Sequence, residues 1–125
     1  MIESIASVVI PVNDHESAVA FYRDVLGFTV QSDFTPAPGM RWVELTLPGT
    51  ATVIALATPR GGMWRGVGGD TNISLACSGI VDEHQRLLDA GADVDEQVLV
   101  LGEYVPRMFR LRDPDGNILQ LVEAK

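Results

Sequence analysis

Two residue pairs carry the groups best able to do chemistry, and the members of each pair hold matching places in two halves of the chain. Glu44 and Arg110 are charged residues on strand-like segments, and together they could hold a ligand. If Glu44 were removed from water, its carboxylate could act as a general base, so it is the candidate catalytic residue. The alternative for Glu44 and Arg110 is a structural ion pair, or charges exposed at the rim of a binding site. Trp42 and Met108 are typical of a pocket for a flat organic molecule, although core packing explains Met108 equally well.

Four further side chains are of types that occur in such a site or in a metal centre. Gln120 is the single polar residue on one face of the last predicted strand. Trp64 lies in a glycine-rich segment and could fold over the mouth of a pocket. The two histidines, His15 and His84, fall within predicted helices, where we expect surface or partly covered side chains rather than metal ligands.

A tight turn organises the C-terminal part of the chain. Asp113-Pro-Asp-Gly116 places proline at the first corner and a glycine that can adopt φ > 0. Residues 107–112 and 117–123 on either side alternate apolar and polar, which predicts a β-hairpin. Asp113 and Asp115 resemble a metal-binding pair, but turn chemistry explains both.

The remaining elements repeat in order. A strand over Ile5–Val12 precedes a helix that Asn13 or Asp14 caps and Gly27 ends. A strand over Phe28–Asp33, a loop at 35–39 and a hairpin of 41–47 with 52–58 follow. After a glycine-rich linker come a strand over 71–77, a helix that Gly91 ends, a strand over Val94–Leu99 and the hairpin described above.

An offset of about 65 residues relates the two halves, and it aligns Ala55 with Gln120. We therefore predict an α+β fold of two tandem βαβββ modules whose sheets curl round a shared cup. Residues 1–125 form a single domain in this prediction, with module 1 at 1–58, a linker at 59–69 and module 2 at 70–125. Side-chain alternation assigns one set of residues to the cup: Ser7, Val9, Trp42, Glu44, Val53, Ala55, Ala57, Asn72, Ser74, Met108, Arg110, Ile118, Gln120 and Val122.

Composition limits the function classes. A net charge of −8 argues against nucleic acid and anionic membrane surfaces as partners. No apolar run approaches the ~20 residues of a membrane-spanning helix. The single cysteine, Cys77, excludes an internal disulfide and suits a reducing cytoplasm, where we expect the protein.

Three motifs carry a family resemblance: Ile10-Pro-Val-Asn-Asp14, Ala20-Phe-Tyr-Arg-Asp-Val-Leu-Gly-Phe28 and Phe109-Arg-Leu-Arg-Asp-Pro-Asp-Gly-Asn117. They resemble the vicinal oxygen chelate superfamily, which includes glyoxalase I, extradiol dioxygenases and the bleomycin-resistance proteins. The resemblance covers the whole chain, including the duplication. It implies the fold more specifically than the function, because this fold serves both enzymes and binding proteins.

The resemblance also implies where a metal would bind. Metal-dependent members place His, Glu or Gln ligands on four strands, and the matching positions here are Ser7, Ala55, Asn72 and Gln120. Alanine cannot coordinate, and neutral serine and asparagine are poor ligands for a transition metal. We therefore expect that the inherited metal site is lost and that no cofactor is bound.

The resulting hypothesis is a metal-free protein that binds a small organic molecule, such as an antibiotic or an aromatic metabolite. The competing class is an enzyme, namely a lyase, epimerase or dioxygenase with a rebuilt metal site or a mechanism that uses Glu44. A third class is an interaction domain whose cup is filled by its own side chains. We also expect a homodimer, as the resemblance implies. The predicted ligand-binding residues are Ser7, Trp42, Glu44, Ala55, Trp64, Asn72, Met108, Arg110 and Gln120.

Overall fold

The chain folds into two βαβββ modules, each built on its own four-stranded mixed sheet. This computed structural model describes residues 1–60 and 66–125. Two compact units result, Met1–Gly68 and Gly69–Lys125. The first sheet has the strand order β1-β4-β3-β2 and the second the order β5-β8-β7-β6, so the two halves share one topology. The predicted fold class and internal repeat are confirmed.

Module 1 contains β1 (Ser7–Pro11), α1 (His15–Ala20), β2 (Thr29–Ala37), β3 (Met40–Thr46) and β4 (Val53–Ala57). Asp14 caps α1 by accepting the backbone N–H of Ser17 at 3.2 Å. A π-helical segment, Phe21–Val25, continues the helix. One face of the sheet packs beneath these helical turns. Its core consists of buried residues from strands and helix: Ile10, Val12, Ala18, Tyr22, Val43, Leu45 and Leu56.

Module 2 contains β5 (Gly69–Cys77), α2 (Ile80–Asp89), β6 (Asp93–Val94), β7 (Met108–Arg112) and β8 (Asn117–Glu123). Its core is likewise on the helix side of the sheet and comprises Ile80, Leu87, Phe109, Leu111 and Leu119. Within the described ranges, no helix is long and apolar enough to cross a membrane.

Two predicted strands have different lengths in the structure. Residues 35–37 of the segment predicted as a loop at 35–39 continue β2, which pairs with β3 as far as Ala37 opposite Met40. The proline at position 36 is accommodated because β2 is the edge strand of its sheet.

The strand predicted over Val94–Leu99 is wrong in extent, because β6 ends at Val94. Beyond it, the Asp95 carboxylate accepts the backbone N–H of Arg110 at 3.1 Å, so a side chain takes the place of the next backbone acceptor. The two segments meet again only at an isolated bridge between Leu99 and Met108.

The predicted exposure of the two histidines is also wrong, because both are buried. The His15 Nε2 lies 3.2 Å from the carbonyl oxygen of Leu56, and the His84 Nε2 lies 2.6 Å from that of Asp95. The His84 ring also packs edge to face on Phe109, with 4.8 Å between ring centroids. His15 thus connects α1 to a strand of its own sheet, and His84 connects its helix to the segment that follows the next strand.

Candidate functional site

The face of each sheet opposite its helix carries the predicted site residues that the structure describes, and we call it the helix-free face of that module. In module 1, the ladder places Glu44 opposite Ala55 and Trp42 opposite Ala57, while Val9 pairs with Ala55 on the other side. Since side chains alternate along a strand, these residues share one face. Ser7 lies two residues before Val9 on β1, on the same face, and pairs with Val53.

Glu44 is held by two donors on the helix-free face of module 1. The Ser32 hydroxyl donates to its Oε1 at 2.7 Å, and the Trp42 indole N–H donates to its Oε2 at 3.2 Å. These hydrogen bonds, that of Ser32 above all, lower the pKa of the Glu44 carboxyl below its ordinary value. A general base is most effective when its pKa lies near the working pH, and both carboxylate oxygens of Glu44 already accept hydrogen bonds, so this geometry favours a role in binding over proton abstraction.

The sequence did not single out Ser32. A β-bulge between Val30 and Ser32 changes the side-chain phase of β2, and this places Ser32 opposite Glu44. Uninterrupted alternation from Phe28 would not produce this phase, and no glycine or proline marks the bulge.

Trp42 borders a pocket of about 260 Å³ at the hairpin end of module 1. The indole is half-buried and lies between its cross-strand neighbours Phe34 and Ala57. The pocket lining is mostly apolar and includes Pro36, Ala37, Met40, Trp42 and Ala57 together with Arg41, Thr58 and Arg60. Arg41 is committed to Asp33 and Glu16 through ion pairs. Trp64, the other predicted aromatic contact, lies outside the described residues.

The helix-free face of module 2 has a different chemistry. Arg110 pairs with Gln120, Met108 pairs with Val122, and Gln120 pairs on its other side with Ser74. The Gln120 Nε2 donates to the Ser74 Oγ at a long 3.3 Å. The amide of Gln120, the hydroxyl of Ser74 and the guanidinium of Arg110 thus form a row across this face. The repeat-related positions of module 1 are Ala55, Val9 and Glu44.

Asn72 lies on an irregular part of β5. The strand pairs Asp70 with Ile118 and then Ser74 with Gln120, so four steps on β5 correspond to two on β8. Asn72 itself has φ of 59°, and its N–H is bonded to the Asp70 Oδ1 at 2.8 Å. An asparagine tolerates this left-handed conformation better than most residues. The alternation of apolar and polar residues could not predict this left-handed conformation.

The donors at the family's four ligand positions do not fit a metal ion. Ala55 is buried and offers only a methyl group, and of the four residues only Gln120 is of a type that metal-dependent members use. Ser7 and Asn72 are neutral donors of the kind that transition metals bind poorly. Within residues 1–60 and 66–125, there is also no group of three or more His, Cys, Asp or Glu side chains that could hold an ion.

The duplicated βαβββ architecture and the two helix-free faces define the class of this protein, and comparison with known proteins agrees. A match to the Glyoxalase/Bleomycin resistance protein/Dioxygenase superfamily extends over residues 4–121. The chain belongs to this superfamily, as the motifs predicted.

Individual relatives match nearly the whole length of the chain. A superfamily member from Sphaerobacter thermophilus DSM 20745 is 33% identical, with a TM-score of 0.87 over 98% of both chains. TnmS3, an antibiotic binding protein from Streptomyces sp. CB03234, is 26% identical with a TM-score of 0.81, over 99% of this chain and 98% of its own. The uncharacterized protein YetH of Bacillus subtilis (strain 168) is 24% identical over 98% of this chain and 100% of its own length.

Proposed function

We propose that this protein binds a small organic molecule, an antibiotic or an aromatic metabolite, without a metal ion, in the cytoplasm. The observation that carries the proposal is the helix-free face of module 1. There the family's ligand position is the methyl group of Ala55, while Trp42 borders a mostly apolar pocket at the hairpin end of the same module. A binding protein needs shape and stacking but no Lewis acid. The similarity to TnmS3, an antibiotic binding protein, supports the same class of function.

The enzymatic alternative relies on Glu44 as a base. Its carboxylate already accepts hydrogen bonds from Ser32 and Trp42, and its pKa is lowered rather than raised. Both observations favour binding over acid–base catalysis. The interaction-domain alternative requires filled faces, whereas Trp42 borders about 260 Å³ of free space.

A screen of aromatic antibiotics and metabolites by thermal shift, followed by calorimetric titration of each hit, tests the proposal. Trp42→Ala removes a stacking contact of about 0.5–1.5 kcal/mol in addition to the buried area. Together these correspond to a loss of affinity of more than about tenfold. The matched control is Trp42→Phe, which keeps an aromatic face but loses the indole N–H bond to Glu44, and it should retain most of the affinity. A hit whose affinity is unchanged in Trp42→Ala would contradict the assignment of the contact.

Elemental analysis of the purified, dialysed protein tests the absence of metal separately. We expect far less than one equivalent of zinc, nickel, iron or manganese. About one equivalent of any of them per chain would contradict the metal-free part of the proposal, whatever the titrations show.

We also propose that the protein is a homodimer. Several large apolar residues of the segment between β6 and β7 face solvent, among them Val100 at 71% and Tyr104 at 93% exposure. Patches of this kind mark interaction surfaces. Light scattering at micromolar concentration should give twice the chain mass of 13.5 kDa, and Val100→Glu should lower it. A single-chain mass for the unmodified protein would refute the proposal.

A further inference from the structure

Arg110 is the most loosely held cation among the described ion pairs. Its guanidinium lies 3.7 Å from Asp70, and its side chain is 52% exposed. In comparison, Arg107 lies 2.8 Å from Glu123, and Arg112 lies 2.9 Å from Asp95. A charge-assisted N–H···O bond is ordinarily about 2.7–2.9 Å long. The Arg110 guanidinium can therefore take up a second anion at small cost.

Asp70 does not depend on Arg110 for a partner. Its Oδ1 accepts the backbone N–H of Asn72 at 2.8 Å, and its side chain is 44% exposed. A carboxylate that keeps a backbone donor and has access to water loses little when an arginine turns away, because exposed ion pairs contribute about 0–1 kcal/mol.

Two pockets meet at Arg110 on the helix-free face of module 2. The first, of about 210 Å³, is polar and includes Asp70, Asn72 and Ser74 in its lining. The second, of about 440 Å³, is mostly apolar and is walled by residues such as Leu99, Leu101 and Met108. Arg110, Gln120 and Ile118 line both. The larger volume lies within the range of about 300–1,000 Å³ that is typical of small-molecule sites.

The other charged groups of the larger pocket are committed. The Asp95 carboxylate accepts from Arg112 at 2.9 Å and from the backbone N–H of Arg110 at 3.1 Å. Arg112 also lies 3.1 Å from Asp93. The pocket therefore offers an apolar wall and, at one end, the Arg110 guanidinium beside the Gln120 amide.

We propose that the helix-free face of module 2 binds a planar organic anion, a carboxylate or an ionised phenol attached to an apolar ring system. The anionic oxygens lie against the guanidinium of Arg110, whose planar fork matches a carboxylate, and the Gln120 amide donates beside it. The ring system packs against Met108 and Ile118. The net charge of −8 gives anions no general attraction to this protein, so the selectivity for an anion comes from the Arg110 guanidinium itself. This inference rests on the proposed binding function and adds the chemical class of the ligand.

Two probes of equal shape test it: 2-naphthoate and its neutral analogue 2-naphthamide, titrated into the unmodified protein, Arg110→Gln and Arg107→Gln. Both variants change the net charge by the same amount, but Arg107 is paired with Glu123 at 2.8 Å. The unmodified protein should prefer naphthoate by roughly tenfold, as expected for a hydrogen bond to a charged group. Arg110→Gln should remove the preference, and Arg107→Gln should retain it. The methyl signals of Met108 and Ile118 in ¹³C spectra should shift on binding.

Three results would overturn the inference: equal affinity for both probes, loss of the preference in Arg107→Gln as in Arg110→Gln, or no binding of either probe below about 1 mM. The failure of the proposed function is a separate result. Binding that depends on Trp42 but not on Arg110 would keep the metal-free binding protein and remove the anion selectivity. One bound metal per chain, together with a naphthoate preference that Arg110→Gln removes, would keep the anion selectivity and contradict the metal-free function.

Discussion

Replacing Asp113 with Ala should destabilise the hairpin that places Arg110 opposite Gln120. Asp113 is only 5% exposed, and its carboxylate accepts three hydrogen bonds of 2.9 Å each. The donors are the backbone N–H groups of Asp115 and Asn117 and the side-chain amide of Asn117, a residue with no exposed surface. In Asp113→Ala, the two Asn117 donors remain buried without this acceptor.

The magnitude follows from these contacts. A buried donor that loses its partner costs about 1–3 kcal/mol, whereas the half-buried Asp115 N–H can turn to water. Asp113→Ala should therefore cost about 3–5 kcal/mol of unfolding free energy. Asp113→Asn keeps an oxygen for the backbone donors and loses the bond to the Asn117 amide, so its cost should be about 1–2 kcal/mol.

Urea denaturation with a constant m-value measures both costs. For a chain of this length, each kcal/mol corresponds to roughly 3–5 °C in Tm. The matched control is Asp89→Ala, which removes an exposed helix carboxylate and should change stability by less than about 0.5 kcal/mol. If Asp113→Ala cost no more than this control, the carboxylate would not be what holds the turn.

Two other substitutions test contacts around the site. Ser32→Ala should raise the pKa of Glu44 in a carboxyl NMR titration, because the largest cause of its lowering is lost. The lowered pKa of Glu44 stabilises the folded protein at pH values above the ordinary value of 4.5, and this stabilisation is lost as the pH falls through the folded-state pKa. Ser32→Ala should therefore be less stable than the unmodified protein at neutral pH and equally stable in acid. An unchanged Glu44 titration would contradict this. His84→Gln can keep a donor toward Asp95 but loses the ring contact with Phe109, so it should cost about 0.5–1.5 kcal/mol in urea, and no measurable cost would show that the ring contact is unimportant.

Much of the fold was predictable because the repeat constrains it. Alternation in β7 and β8 was sufficient to place Arg110 and Gln120 on one face, since the turn between them carries explicit glycine and proline signals. The same reasoning placed Glu44 and Ala55 on one face of module 1, where the structure pairs them. A period-2 pattern with a marked turn leaves little freedom in the register.

What could not be predicted depends on local departures from alternation. Ser32 reaches Glu44 through a bulge, and the left-handed Asn72 interrupts β5. The early end of β6 depends on the Asp95 carboxylate taking a backbone donor. Each is a competition between a side chain and the backbone ladder, and apolar periodicity carries no information about its outcome. The burial of His15 and His84 similarly depends on carbonyl groups that become close only in the folded module.

The two modules share a topology but carry opposite chemistry at repeat-related positions. Ala55 faces Glu44 in one, and Gln120 faces Arg110 in the other, each pair on a sheet with its own core. The cross-strand partner of each residue lies in its own module, so the two pairs share no ladder contact, and their contributions to stability should add. A laboratory library could therefore randomise the surface around Arg110 while leaving Trp42 constant.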